Sequence, residues 1–134
     1  MARKSVLIVD DEMGICTSLS FALENEYETR YATTPSQALG ALKERRFDIC
    51  LLDMCIGRFS GLELLEPMRE LDSGMIVIIM TAYGSIDSSV NAIRKGAYTY
   101  LCKPLSIELL NLTLRQAVEY REQHATVDCL SQKV

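Results

Sequence analysis

The chain has 134 residues, of which 49% are hydrophobic and 24% charged, and this composition at this length is typical of one soluble globular domain. Its net charge of −4 argues against direct nucleic-acid binding by this segment, since contact with phosphates needs a basic face. No apolar run approaches the roughly 20 residues that span a bilayer, and the first residues do not resemble a signal peptide, so we expect a cytoplasmic location and no membrane partner.

Apolar runs alternate with segments of helical periodicity along the chain. Strands are predicted at about residues 6–9, 27–32, 47–53, 75–80 and 98–102. Helices are predicted at about residues 13–26, 35–45, 61–70, 85–95 and 106–122. Pro67 lies inside the third helix and removes a backbone hydrogen bond, so we expect a kink or an early end there. In the fourth helix, the residues expected to face inward are Ile86, Val90 and Ile93.

This alternation predicts the fold class and the extent of the domain. Five strand–helix units imply an α/β fold, with a doubly wound parallel sheet covered by helices on both faces. Residues 1–122 are predicted to form the domain, and residues 123–134 a linker or tail. In such sheets the functional crevice lies at the carboxyl ends of the strands.

Chemically complementary side chains follow four of the predicted strands. They are Asp10, Asp11 and Glu12 after the first strand, Asp53 after the third, Thr81 after the fourth and Lys103 after the fifth. Taken singly, each has a plain structural explanation, such as helix capping or strand termination. Taken together, crowded carboxylates repel one another and favour a hard cation with oxygen ligands, which describes Mg²⁺.

Five motifs, in family order and spacing, resemble a bacterial two-component response-regulator receiver domain. They are Val-Asp-Asp-Glu at 9–12, Leu-Leu-Asp-Met at 51–54, Gly-Leu-Glu-Leu-Leu at 61–65, Met-Thr-Ala-Tyr-Gly at 80–84 and Gly-Ala-Tyr-Thr-Tyr-Leu-Cys-Lys-Pro at 96–104. The segment at 80–87 is most similar to receivers of NtrC-like enhancer-binding transcription activators. The resemblance implies a flavodoxin-like (βα)5 fold with strand order 2-1-3-4-5.

The resemblance also implies a magnesium-dependent phosphoacceptor site. Asp53 would accept the phosphoryl group and share the metal, and Asp11 would be a direct Mg²⁺ ligand. Asp10 would act largely through water, and the carbonyl of Cys55 would complete the protein ligands. The phosphoryl donor would be a sensor histidine kinase. The chain would catalyse only its own phosphorylation and dephosphorylation, and would not be a metabolic enzyme.

A switch at the fourth and fifth strands is implied in the same way. Thr81 and Lys103 would bind the phosphoryl oxygens, and Thr81 would turn its hydroxyl and leave space for the ring of Tyr100. The change of conformation would control an output, expected to be transcription, through a possible output domain beyond the linker. The bond between Lys103 and Pro104 would be cis.

Two positions near the phosphoacceptor carry further predictions. Receivers usually have proline four residues after the phosphoacceptor, where this chain has Gly57, and glycine should make ordering of the loop costlier by about 0.4–1 kcal/mol. By the family alignment, Cys55 and Tyr83 flank the path of the hydrolytic water. Neither orients water as a carboxylate or amide readily does, so the phosphorylated state should be long-lived. The alternative is that Tyr83 turns outward to contact a partner.

Three other functions share parts of this pattern. A flavodoxin-like electron carrier has the same architecture, but the acidic residues at 10–12 would repel the FMN phosphate. An aspartate-nucleophile phosphatase uses the same residue types, but it needs an Asp-x-Asp motif after the first strand and a cap domain. A degenerate receiver that serves only as a protein-interaction module is the strongest alternative.

The last predicted helix has more apolar residues than one buried stripe needs. Leu110, Leu114, Ala117 and Val118 form a stripe that can face the sheet. The remaining apolar residues on another side are Leu109, Leu112 and Tyr120. We therefore predict a homodimer through this helix, possibly with neighbouring helix four and strand five, favoured by phosphorylation, with a broad buried face as the alternative.

Overall fold

The computed structural model describes residues 3–82 and 86–132, the side chains of residues 86, 88, 89 and 124–132 excepted. Its strands are β1 (Lys4–Val9), β2 (Tyr27–Ala32), β3 (Ile49–Asp53), β4 (Cys55–Ile56), β5 (Phe59–Ser60), β6 (Ile76–Thr81) and β7 (Thr99–Cys102). Its helices are α1 (Met13–Leu23), α2 (Pro35–Glu44), α3 (Gly61–Leu71), α4 (Ile86–Arg94) and α5 (Ile107–Gln132).

The main sheet has five parallel strands in the order β2-β1-β3-β6-β7. The short strands β4 and β5 form a separate antiparallel hairpin, so the fourth and fifth strands of the main sheet are β6 and β7. The observed order is therefore the predicted 2-1-3-4-5. The predicted doubly wound, flavodoxin-like fold class is confirmed.

Each of the three central strands contains a continuous apolar run, because helices cover both faces of the sheet there. On one face the core is formed with side chains from α2, α3 and α4, and on the other with side chains from α1 and α5. A sheet buried in this way leaves its strand ends as the places where polar side chains can meet water. Polar and charged side chains that could bind a ligand are therefore expected at the ends of the strands.

Helix α3 does not end early at Pro67, and that alternative is wrong. The helix begins after Ser60, whose hydroxyl accepts a hydrogen bond from the Leu62 backbone N–H at 3.1 Å, and it continues to Leu71. Its buried face, which includes Leu65 and Met68, packs into the core on both sides of the proline. Tertiary packing therefore outweighs the backbone hydrogen bond that the proline removes.

The inward face predicted for α4 is also wrong where the side chains are described. Val90 and Ile93 are 43% and 40% exposed, whereas Ala92 is fully buried in the core. A small residue at the contact lets the helix approach the sheet closely, and this leaves the larger side chains at the surface. The side chain of Ile86, also predicted to face inward, lies outside the described residues.

Helix α5 divides its apolar residues as predicted. Leu110, Leu114 and Ala117 are fully buried, whereas Leu109 and Leu112 are each about half exposed. The helix runs past the predicted end near residue 122, and the division into a domain of 1–122 and a tail of 123–134 stays a prediction. No helix in the described part of the chain is long and apolar enough to cross a membrane.

Candidate functional site

Four parallel strands deliver polar side chains to one edge of the sheet. Asp10 directly follows β1, Asp53 is the last residue of β3, Thr81 is the last residue of β6, and Lys103 directly follows β7. Because β1, β3, β6 and β7 are consecutive neighbours in the sheet, their carboxyl ends lie side by side. The strand ends identified from the sequence therefore meet at one place.

Three carboxylates form the centre of this edge. Asp10, Asp11 and Asp53 each offer a ligand atom, and these atoms all lie within 4.8 Å of one another. Asp10 is fully buried and Asp53 is 6% exposed, whereas Asp11 is exposed. Lys103 Nζ lies 2.9 Å from Asp10 Oδ2 and 3.2 Å from Asp53 Oδ1. One ammonium therefore pairs with two of the three carboxylates, and the cluster keeps an excess of negative charge.

The donor set fits a divalent cation such as Mg²⁺. Carboxylate oxygens are the ligands this ion prefers, and it keeps several waters, which the exposed Asp11 side leaves room for. Two of the three carboxylates are buried against a single lysine, so a cation would relieve a repulsion that the described side chains leave uncompensated. Asp10, Asp11 and Asp53 would hold it, with the carbonyl of Cys55 as the further predicted ligand.

The surroundings of the site shift the pKa of two of its groups. Burial raises the pKa of the Asp53 carboxyl, and the charge of Asp10 raises it further, while Lys103 and a hydrogen bond from the Cys55 backbone N–H oppose the rise. Burial by itself would lower the pKa of Lys103, but its hydrogen bond to Asp10 and the charges of Asp53 and Asp10 raise it overall. The lysine is therefore held in its charged form next to the carboxylates.

The loop after β3 is a β-hairpin, which the sequence analysis did not predict. Cys55 pairs with Ser60 and Ile56 with Phe59, so only residues 57 and 58 form the turn. Gly57 has a φ of +60°, which glycine adopts readily and most other residues avoid. A glycine at the first central position is the preference of one of the two common two-residue hairpin turns, and it is present here.

Gly61, the first residue of α3, fixes the backbone behind Asp53. A Cβ atom added at Gly61 would lie only 2.3 Å from the Asp53 carbonyl oxygen, and its N–H donates to the Met54 carbonyl at 2.6 Å. No other residue type permits this approach of backbone to backbone. Gly61 belongs to the motif at 61–65, which by itself does not indicate this close approach. The capping residue Ser60 directly before it indicates only that a helix begins there.

A comparison with family models decides what kind of domain carries this site. The model described as "Response regulator receiver domain" matches residues 6–115, which is most of the chain. The chain belongs to the response regulator receiver family. The receiver membership predicted from the sequence motifs is confirmed.

Several relatives of this receiver are known. It is 36% identical to the alginate biosynthesis transcriptional regulatory protein AlgB of Pseudomonas aeruginosa, over 96% of the chain and 29% of AlgB. It is 37% identical to the transcriptional regulatory protein ZraR of Klebsiella oxytoca, over 86% of the chain and 26% of ZraR. The receiver thus spans less than a third of these curated relatives. That the relatives are transcriptional regulators agrees with the predicted similarity to receivers of NtrC-like activators.

Solved structures confirm the fold. The receiver matches NtrX from Brucella abortus with a TM-score of 0.91 and 32% identity, over 97% of this chain and 30% of NtrX. It matches a CheY-like receiver domain protein from Methanospirillum hungatei with a TM-score of 0.87 and 32% identity, over 92% of this chain and 99% of that protein.

The predicted switch residues lie on neighbouring strands of the receiver. Thr81 is 2% exposed, and its hydroxyl donates to the Ala82 carbonyl at 3.2 Å. Tyr100 is partly buried against the core cluster on the face of α2, α3 and α4. Thr81 at the end of β6 pairs with Cys102 of β7, and Tyr100 lies on β7 two residues before Cys102. Tyr83, the residue predicted to obstruct water, lies outside the described residues.

The segment after β7 holds the lysine. The Lys103–Pro104 peptide bond is cis, as predicted. The Lys103 backbone N–H donates to the Thr81 carbonyl at 2.7 Å, which continues the pairing of β7 with β6. The lysine backbone is thus tied to the strand that ends in Thr81.

A groove of about 810 Å³ lies at the opposite, amino-terminal edge of the sheet in this receiver. Its lining includes Lys4, Asp48, Gly74, Tyr98 and Arg121, which lie near the starts of strands or on the later turns of α5. The carboxylate cluster lies at the other edge of the sheet, and none of its residues lines this groove.

Proposed function

We propose that this receiver accepts a phosphoryl group on Asp53 from a sensor histidine kinase and, by a change of conformation, controls an output that regulates transcription. The observation that carries the proposal is the cluster in which ligand atoms of Asp10, Asp11 and Asp53 lie within 4.8 Å of one another, with the ammonium of Lys103 paired to Asp10 and Asp53. A buried nucleophilic carboxylate, a fixed cation and a metal-binding donor set are the requirements of phosphoryl transfer to aspartate.

In this mechanism a carboxylate oxygen of Asp53 attacks the phosphorus in line with the leaving group. An oxygen–phosphorus bond forms, the bond from phosphorus to the donor histidine nitrogen breaks, and that nitrogen keeps the electron pair. Lys103 favours the ionised form of Asp53 before attack and then offsets the charge of the phosphoryl oxygens. Mg²⁺ bound by Asp10, Asp11, Asp53 and the Cys55 carbonyl would supply further positive charge at the phosphoryl group.

The buried hydroxyl of Thr81 supports a role in reading the phosphorylated state. It donates to the neighbouring Ala82 carbonyl, a weak local bond that a phosphoryl oxygen can replace with a charge-assisted one. Tyr100 is only partly buried, and in this proposal its ring moves inward into the space that Thr81 leaves when it turns. A local charge that biases a two-position element is what a switch requires.

The reaction is a modification of the domain itself, and we propose no separate substrate other than the phosphodonor. Acetyl phosphate with Mg²⁺ should add one phosphoryl group, as read by intact mass. Asp53→Ala should abolish the addition, whereas Asp87→Ala, which removes an exposed carboxylate on α4, should keep it. Labelling of the Asp53→Ala protein at the level of the parent would move the nucleophile elsewhere. An unlabelled parent would favour a degenerate receiver that acts only through protein contacts.

The metal ligands can be tested separately from the labelling. Asp11→Asn removes one charge of the cluster and should lower the Mg²⁺ affinity about tenfold, which corresponds to about 1.4 kcal/mol. Calorimetric titration of both proteins with Mg²⁺ measures this difference. Equal affinities would rule out Asp11 as a ligand.

We also propose that the phosphorylated state favours a homodimer through α5, and that this dimer controls the output. Leu109 and Leu112 are half exposed on α5, and Val90 and Ile93 add apolar surface on α4. Light scattering should show a larger dimer fraction after addition of beryllofluoride, and Leu112→Glu should lower that fraction. A monomer at high concentration in both states would contradict the proposal. An output domain beyond the linker and a cytoplasmic location belong to the same proposal.

A further inference from the structure

Gly57 in the β4–β5 hairpin contacts the metal-binding cluster from a distant part of the chain. Its backbone N–H donates to Asp11 Oδ2 at 2.9 Å, a contact that joins residues 46 positions apart. Asp11 is the one exposed carboxylate of the three, so packing does little to hold its side chain. The hydrogen bond from the hairpin is therefore a restraint on the orientation of Asp11.

The hairpin holds this donor in place through its own geometry. Two residue pairs, Cys55 with Ser60 and Ile56 with Phe59, fix the turn, and Ile56 is 2% exposed and anchors it in the core. The positive φ of Gly57 belongs to the turn that directs its N–H to Asp11. Proline has no N–H and has a φ fixed near −65°, so it could supply neither the donor nor the turn.

The hydrogen bond is compatible with metal binding by the same carboxylate. An ionised carboxylate has about four lone-pair directions, and one N–H uses only one of them. Groups that hydrogen-bond to a metal-binding carboxylate orient it before the ion arrives, and their loss typically lowers metal affinity about 10–100-fold. An exposed site such as this one belongs at the lower end of that range.

We propose that Gly57 is a positioning residue for the metal site, which orients Asp11 through its backbone N–H and couples the β4–β5 hairpin to ion binding. This inference rests on the proposed function, since it assumes that Asp11 is a ligand. It also gives the position a physical role: the turn needs a backbone N–H, which proline lacks, and a positive φ, which glycine adopts readily. The proposal concerns Asp11 alone, because the Asp53 carboxylate is bonded by the Cys55 backbone N–H instead.

Two substitutions distinguish the loss of the Gly57 backbone N–H from the mere addition of a side chain at this position. Gly57→Pro removes the N–H and forbids the positive φ, and it should weaken Mg²⁺ binding about tenfold in a calorimetric titration. Gly57→Asn keeps the N–H, and asparagine tolerates positive φ better than most residues, so it should stay within about threefold of the parent. A Cβ at this position has open space, with no heavy atom within 4 Å, so a steric clash is not a competing explanation.

Amide hydrogen exchange in EDTA tests the contact without any metal. The Gly57 N–H should exchange about tenfold faster in the Asp11→Ala protein than in the parent, because its acceptor is gone. Equal exchange rates, or equal Mg²⁺ affinities of the Gly57→Pro and parent proteins, would overturn the proposal while leaving the proposed function intact. A parent that does not bind Mg²⁺ would overturn both. The exchange measurement decides the question if the proline variant does not fold.

Discussion

Replacing Asp53 by Asn should make the metal-free domain more stable. The change keeps the shape of the side chain and an acceptor for the Cys55 N–H, but removes a charge that the fold disfavours. At an effective dielectric constant of about 20, repulsion between the Asp10 and Asp53 carboxylates is about 3.5 kcal/mol at the 4.8 Å limit of their separation. Attraction between Lys103 and Asp53 is about 5 kcal/mol at 3.2 Å on the same scale.

The balance of these interactions sets the expected increase in the free energy of unfolding. The exposed Asp11 adds a further, solvent-screened repulsion, so the pairwise interactions of Asp53 nearly cancel, and the cost of burying its charge remains. We expect Asp53→Asn to raise the free energy of unfolding by about 1–2 kcal/mol at neutral pH. Lys103 keeps its 2.9 Å ion pair with Asp10, so its ammonium still has a carboxylate partner after the substitution.

The pH dependence follows from the sign of the pKa shift. A carboxyl group whose pKa is raised by folding is favourable in its protonated form, and the parent loses that contribution as the pH rises from the ordinary carboxyl value through the raised one. The difference in free energy of unfolding between Asp53→Asn and the parent should therefore grow across this pH interval and stay constant above it. Saturating Mg²⁺ should narrow or reverse the gap, because it stabilises the parent by binding.

Urea unfolding in EDTA, repeated at several pH values and with Mg²⁺, measures these differences. Asp87→Asn is the matched control, since it removes the same charge from an exposed position on α4 and should change stability by less than about 0.5 kcal/mol. If Asp53→Asn is less stable than the parent in EDTA, then the attraction to Lys103 outweighs burial and repulsion. The description of the cluster as electrostatically strained would then be wrong.

Three further predictions concern other positions in the chain, and the one at Tyr83 comes from the family alignment alone. Gly61→Ala should lower the free energy of unfolding by more than about 2 kcal/mol and slow acetyl phosphate labelling, because its Cβ would meet the Asp53 carbonyl oxygen. Unchanged urea unfolding and labelling would contradict this. Asp48→Ala should cost about 1.5–3 kcal/mol in urea unfolding, since it removes both the carboxylate partner of the partly buried Arg121 guanidinium and the acceptor of the Ser5 backbone N–H. Equal stability would refute a stabilising role of this carboxylate. Tyr83→Glu should speed loss of phosphate from the labelled protein severalfold, because a carboxylate can orient water, and an unchanged half-life would show that Tyr83 does not control water access.

The sequence by itself determined the elements of the sheet and the residues at its functional edge. Buried parallel strands need unbroken apolar runs, so segments such as residues 6–9 and 75–80 predict strands without knowledge of their neighbours. The polar residue that ends each run then falls at the edge of the sheet, because parallel strands align their carboxyl ends. Asp53 and Lys103 could be brought together on this argument alone.

Only the tertiary structure decided how the segments contact one another. The bond from Gly57 to Asp11 joins residues 46 positions apart, and the one from Arg121 to Asp48 joins residues 73 positions apart. Such contacts depend on the angle and depth at which elements pack. For the same reason α4 buries Ala92 and exposes Val90, since helical periodicity identifies several possible faces and the fit against the sheet selects one. Periodicity is a local property of the chain, whereas packing depends on every element that shares the core.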